Sequence, residues 1–433
     1  MAVAENQVEH VVSDPAADNG GCSPFSDPPD SPPTHVFEPS ASESDSYDTA
    51  IQLPLKLPYV VGSTTTATRH QPPEPFGVRY ETNCPLSLPW ENRKSQSKAE
   101  YCALRHVCED QSLEVVKTLK ITAVIRTGQN RGAQLVVIDD DMVAKIYDPL
   151  YYEDVNEYGG EEDVVYDAFS DYSREAAAFH QLQKSPAARE VIPAFYGTWT
   201  ILVDTHIHNG GETQKRKRQV PLILMEYVRG ATMRDIDARA LPEQTRSCLL
   251  KRILDVDMVI LHAGVDNSDF CSRNIMITSL PTQSAGDAAD GFSVKAIDFN
   301  IAIVRRHPKC HNYDMISEID EERKAWLPKL SSPILRWFNS VQDFAWDDWC
   351  PSGDGEPELW LWEQYRDDER YIPVIWDPSN PNVRPKYVEL ESGSETSVDS
   401  GLGLDMEVEK DEEGGKKSSV EVEDHSASAM QVS

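Results

Sequence analysis

Long apolar runs are missing from this sequence: none reaches the ~18 residues a membrane-spanning helix needs. Cysteine is sparse, eight scattered among 433 residues, with no C-x-x-C pair and no Cys/His set at zinc spacing. That excludes a disulfide framework or a zinc ribbon and points to reduced thiols. Basic residues are heavily outnumbered, 41 Lys and Arg against 73 Asp and Glu, for a net charge of −32. A chain of this sign is a poor ligand for nucleic acid or an anionic membrane. Residues 1–8 carry neither the basic stretch nor the apolar core of a secretory leader. The expectation is a cytoplasmic or nuclear protein that is not secreted.

What is present divides the chain by composition. Residues 1–99 are rich in Pro, Ser, Asp and Glu, as in Pro28-Pro29-Asp30-Ser31-Pro32-Pro33, and bury too little apolar surface to offset their ordering entropy. They are expected to be a disordered extension, with only isolated hydrophobes between Ile51 and Val61 and between Pro72 and Trp90. Residues 391–433 are acidic, Ser- and Gly-rich, and are expected to be a disordered tail. No internal repeat is apparent.

The central part has the period of a folded domain. Ile121–Ile125, Ala133–Ile138 and Met142–Tyr147 read as three antiparallel strands, with a turn at 126–132 carrying Gly128 and Gly132. A helix with Ser173 as its N-cap places Ala176, Phe179 and Leu182 on one face. The acidic stretch Glu153–Asp171 before it reads as solvated. Strands follow at Val191–Val203 and Val220–Val228. The basic run Lys215–Arg218 between them reads as a solvated hairpin tip, with a nuclear signal as the other reading. Leu241–His262 is a long amphipathic helix closed by Gly264. Seven of the nine tryptophans fall between Trp326 and Trp376, which suits the core of a helical region better than a recognition surface.

One stretch carries chemistry. Asn267-Ser268-Asp269 is followed by four residues and then Asn274, an apolar triplet Ile275–Ile277, a polar loop, and the strand Val294–Ile297 ending in Asp298-Phe299-Asn300. This resembles the catalytic and metal loops of the protein kinase-like superfamily, H-R-D-x-x-x-x-N and D-F-G. The resemblance extends upstream to Lys145 in Val143-Ala144-Lys145-Ile146, similar to V-A-I-K. It thins after Asn300, where no A-P-E is found.

The resemblance implies an α+β fold with two lobes: an antiparallel-sheet lobe and hinge over 100–229, and a shortened, mainly helical lobe over 230–390. It implies ATP and Mg²⁺ as cofactors. Lys145 would contact phosphates and pair with Glu175, and Gly128 and Gly132 would form a reduced phosphate loop or a plain hairpin turn. Met225 would back the adenine pocket, and backbone groups of Glu226 and Val228 would meet the adenine edge. Asp269 would act on the acceptor hydroxyl, and Asn274 and Asp298 would hold metal. The chain departs from the pattern at Asn267, Ser268 and Asn300, and Cys271 stands where serine/threonine kinases carry a lysine. Asparagine at 300 is read as the residue that, after glycine, best tolerates positive φ. The implied activity is transfer of the γ-phosphate to a hydroxyl on a protein. A nucleotide-binding scaffold and a small-molecule kinase of the aminoglycoside or choline type remain open.

Overall fold

The computed structural model describes residues 57–80, 96–105, 112–156, 158–209, 212–278, 292–311, 324–380 and 383–389. The chain divides into Met1–Lys56 and Leu57–Ser433, and the described residues all belong to the second unit. It is a mixed α+β structure with antiparallel sheets. Among the described residues, no helix is long and apolar enough to cross a membrane.

A closed barrel of six antiparallel strands comes first. Its strands are β1 (Thr64–His70), β2 (Ser112–Arg126), β3 (Gln134–Ile138), β4 (Met142–Ile146), β5 (Phe195–Asn209) and β6 (Glu212–Glu226), in the order β1-β2-β3-β4-β6-β5. Alternation along β5 shows why the sheet closes. Trp199, Ile201, Val203 and Ile207 are buried, while Leu202 and Asp204 between them are exposed. Trp199, Ile201 and Val203 meet Ala67, Leu119, Ile121, Val136, Leu222 and Leu224 in one apolar cluster.

Three helices flank or interrupt these strands: α1 (Lys98–Ala103), α2 (Val164–Leu182) and α3 (Pro186–Glu190). After the barrel come β7 (Ala231–Thr232), α4 (Glu243–His262), β8 (Val265–Asp266), the hairpin β9 (Ile275–Thr278) and β10 (Ser293–Ala296), and β11 (Ile303–Val304). Helices α5 (Pro333–Trp337) and α6 (Glu356–Tyr365) then pack near α4. Phe179 and Leu182 of α2 and Leu250, Ile253 and Leu254 of α4 join Trp337, Trp349 and Trp360 in a second cluster. The tryptophan-rich region therefore does supply core, and Trp360 Nε1 donates to Ser247 Oγ of α4 at 2.9 Å.

Four expectations are corrected. The ordered structure does not begin at residue 100: β1 pairs with both β2 and β5 and closes the barrel, and Tyr59, Phe76 and Tyr80 are buried. Composition missed this because β1 is mostly threonine, and its contribution is backbone hydrogen bonds rather than apolar area. Ser173 is not an N-cap. Asp163 is, accepting from the N–H groups of Val165 and Tyr166, while Ser173 is buried mid-helix with its hydroxyl on the Ser170 carbonyl at 3.0 Å. The acidic stretch up to Asp171 is accordingly half helix, and it buries Val164, Val165, Ala168 and Phe169. The basic run is not a hairpin tip. It lies within β6, and Arg218 faces the barrel interior opposite Val203, fully buried against Asp148. The loop between β9 and β10, save for Phe292, and the expected C-terminal tail lie outside the described residues.

Candidate functional site: a lysine between two carboxylates

β4 is short, central and buried on both faces: Ala144 and Ile146 join the barrel cluster, so Lys145 faces the other side, toward α2, where it is 4% exposed. A buried ammonium needs compensating anions. Lys145 finds two: Nζ donates to Glu175 Oε2 of α2, and to Asp298 Oδ1 at 2.6 Å. Tyr147 Oη donates to the same Glu175 oxygen at 2.5 Å. Glu175 is fully buried, and its Oε1 has no hydrogen-bond partner among the described residues. Asp298 differs, with 26% of its side chain exposed.

The two carboxyl groups are shifted in opposite directions. Burial dominates at Glu175 and holds its pKa above the ordinary value in spite of Lys145. At Asp298 burial also pushes upward, but the Lys145 charge outweighs it and the pKa is lowered. Burial pulls Lys145 down, and Asp298 and Glu175 more than offset it, so the lysine stays charged.

Asn274 and Asp298 are brought together by the β9–β10 hairpin. Ala296 pairs with Ile275, and the Ile297 N–H donates to the Asn274 carbonyl at 2.9 Å. The Asn274 amide in turn reaches Asp269: Nδ2 donates to the Asp269 carbonyl at 3.0 Å and to Oδ2 at 2.7 Å, leaving Oδ1 as its acceptor. Asp269 Oδ1 accepts from Arg273 Nη2 at 2.6 Å. Asn267 is buried and accepts the Asp269 N–H at 3.2 Å. Cys271 lies 3.4 Å from Asp269 Oδ1. Burial and that carboxylate push its thiol up to about 12, which disfavours the thiolate.

The left-handed residue of the Asp298-Phe299-Asn300 loop is Asp298, at φ 63°, and not Asn300. Asn300 keeps its place through contacts instead, its carbonyl accepting from Arg174 Nε at 2.7 Å. Phe299 is fully buried, edge-on to Phe179 at 5.4 Å between ring centroids.

The remaining candidate residues are placed as follows. Gly128 and Gly132 lie in the β2–β3 turn, both in positive φ. The buried Gln134 pins that turn, accepting the Gly128 N–H at 2.7 Å and donating to the Gly128 and Gly132 carbonyls. Met225 is buried on β6 opposite Val143. The Glu226 N–H is bonded to the Ala194 carbonyl, and its carboxylate accepts from Lys295 Nζ at 2.6 Å and from the Ala194 N–H at 2.9 Å. Burial raises the Glu226 pKa, and these donors outweigh it and lower it overall. The Val228 N–H makes no hydrogen bond among the described residues. Among the described residues there is no group of three or more His, Cys, Asp or Glu side chains placed to hold a metal. Sequence reasoning missed Tyr147, Gln134, Arg174 and Lys295. Arg174, the neighbour of Glu175 in sequence, carried the nearest thing to a signal.

No protein-family model matches the chain, and no curated protein matches it. Among solved structures, the BubR1 kinase domain aligns at 11% identity and a TM-score of 0.28, covering 43% of this chain and 48% of that one. WaaP in complex with acyl carrier protein aligns at 17% identity and a TM-score of 0.26, covering 45% of this chain and 67% of that one. The chain thus spans about half the length of the first of these.

Proposed function

We propose that this chain is an ATP- and Mg²⁺-dependent phosphotransferase of protein kinase-like fold, with the barrel and the helical region as its two lobes. One observation carries the reading: a buried lysine shared by Glu175 and Asp298, with Asn274 joined to Asp298 by a hairpin and to Asp269 by its amide. A buried cation with an excess of carboxylate around it suits a site that receives both a polyanion and a divalent cation.

The metal donors fit. Asn274 Oδ1 and Asp298 are hard oxygens, and two of them suit Mg²⁺, which keeps waters and takes its other ligands from phosphates. When bound, the metal–nucleotide complex supplies the phosphoryl group and shields its charge. Lys145 positions phosphate oxygens, and Glu175 with Tyr147 fixes the lysine. Asp269 orients the acceptor hydroxyl and takes its proton, with Arg273 beside it as a second cation. The adenine edge is met at the end of β6 by the Val228 N–H and the Glu226 carbonyl, in front of Met225. The acceptor is a protein hydroxyl or, as in small-molecule kinases, a free alcohol.

A nucleotide-binding scaffold is the second reading. It is favoured by the ion pair that occupies Asp269 and by the turn amide of Gly128 already given to Gln134. Thermal shift with Mg²⁺·ATP, followed by γ-phosphate transfer to the chain itself and to generic protein acceptors, separates the two. Wild type and Asp269→Ala should both bind, and the variant should lose about 100-fold or more in transfer. Binding without Asp269-dependent transfer leaves the scaffold. Absence of Mg²⁺·ATP binding sinks both readings.

A further inference from the structure

Asp298 stands at φ 63°, a region that residues with a Cβ rarely adopt unless surrounding contacts hold them there. The residues around it show what does. Arg174, 4% exposed, sits one position before Glu175 on α2. Its Nε donates to the Asn300 carbonyl at 2.7 Å, and its Nη2 donates to Asp171 Oδ1, one turn earlier on α2, at 2.7 Å. Asn300 is thus gripped at its carbonyl from α2, the helix that also carries Glu175.

The latch is roofed by the N-terminal segment. Gly77 has φ +85° and passes so close that a Cβ there would lie 2.9 Å from Arg174 Nη1. Tyr80, three residues on, accepts the Val304 N–H on its hydroxyl at 2.7 Å. Water is therefore kept from the guanidinium, and its two hydrogen bonds are worth more than they would be at a surface.

We propose that Arg174, braced by Asp171, is the positioning residue that keeps Asp298 turned toward Lys145 and toward the metal. It would do so through Asn300, the residue standing where the family pattern has glycine. This rests on the proposed function for its metal, though not for its geometry. Arginine is needed because its planar fork serves two acceptors at once, which a lysine at the same place cannot match.

The test uses the full chain as wild type and as Arg174→Lys, with the isosteric Asp171→Asn as the second variant in case the first does not fold. Hydrogen exchange without nucleotide reads the latch directly. Amides of residues 298–302 should exchange faster in the variants while those in the middle of α4 do not change. ATP binding is then titrated with Mg²⁺ and repeated in EDTA. The half-saturating Mg²⁺ concentration should rise about 10-fold, with metal-free ATP binding changed by less than about 2-fold. Unchanged exchange at 298–302 overturns the latch. Faster exchange with an unmoved Mg²⁺ requirement overturns its positioning role. Wild type that binds no Mg²⁺·ATP at all overturns the proposed function instead, and the exchange arm still decides the latch.

Discussion

Lys145→Met is the sharpest perturbation of the ion cluster, because it removes the cation and keeps the length of the side chain. Two carboxylates lose their partner, and their fates differ. Asp298 is partly exposed and relaxes into water at small cost. Glu175 is fully buried and has nowhere to turn. Breaking a buried pair by removing one partner costs about 3–5 kcal/mol. Tyr147 still donates to Glu175 Oε2, and a hydrogen bond to a charged group is worth about 1.5–3 kcal/mol, so the low end, about 3 kcal/mol at pH 8, is expected.

The pH dependence has a definite sign. Glu175 already titrates above its ordinary value because of burial, and losing Lys145 raises it further. A carboxyl whose folded pKa is raised binds its proton more tightly when folded, so its contribution to stability falls as pH rises through that window. The Lys145→Met penalty should therefore shrink at pH 5 relative to pH 8. Adding Glu175→Gln removes the orphaned charge and should bring the penalty to about 1 kcal/mol, the mark of a coupled pair. Urea unfolding followed by tryptophan emission measures all three, at constant m-value. A single-variant penalty below about 1 kcal/mol at pH 8, or one that grows toward acid, would refute the placement of Lys145 against a buried Glu175.

Two further outcomes are expected. His70 is buried, with ring nitrogens engaged by Tyr172 and Thr200, and burial lowers its pKa from 6.5 to about 4. Because the unfolded imidazole protonates first, the stability it contributes is intact above about pH 6.5 and is lost as pH falls toward 4, by up to about 3 kcal/mol. His70→Gln should flatten that part of the stability profile, and an unchanged acid limb would count against a neutral, buried His70. Separately, a chain beginning at residue 57 should keep its cooperative thermal transition, whereas one beginning at residue 100 should lose it, since β1 and the Tyr59–Asp148 hydrogen bond go with the deleted part. A sharp transition in the shorter chain would contradict the barrel closure.

The sequence by itself determined the local elements and the order of the chemistry. Apolar alternation marked β3, β4 and much of β6, and the period of 3.6 marked α4, because each is set by residues near in sequence. The order Lys145, Glu175, Asp269, Asn274, Asp298 was readable, as was the hairpin that links the last two. Tertiary structure decided what has no local signature. A threonine strand became the seam of a barrel because only β2 and β5, distant in sequence, supply its hydrogen-bond partners. Arg218, in a run of four basic residues, went inward because Asp148 waits there. Asn300 was read as a tolerant substitute for glycine, yet the left-handed residue is Asp298, and the Asn300 carbonyl is held by Arg174. Such contacts join residues 70 to 126 positions apart, and neither composition nor periodicity constrains which buried charge meets which.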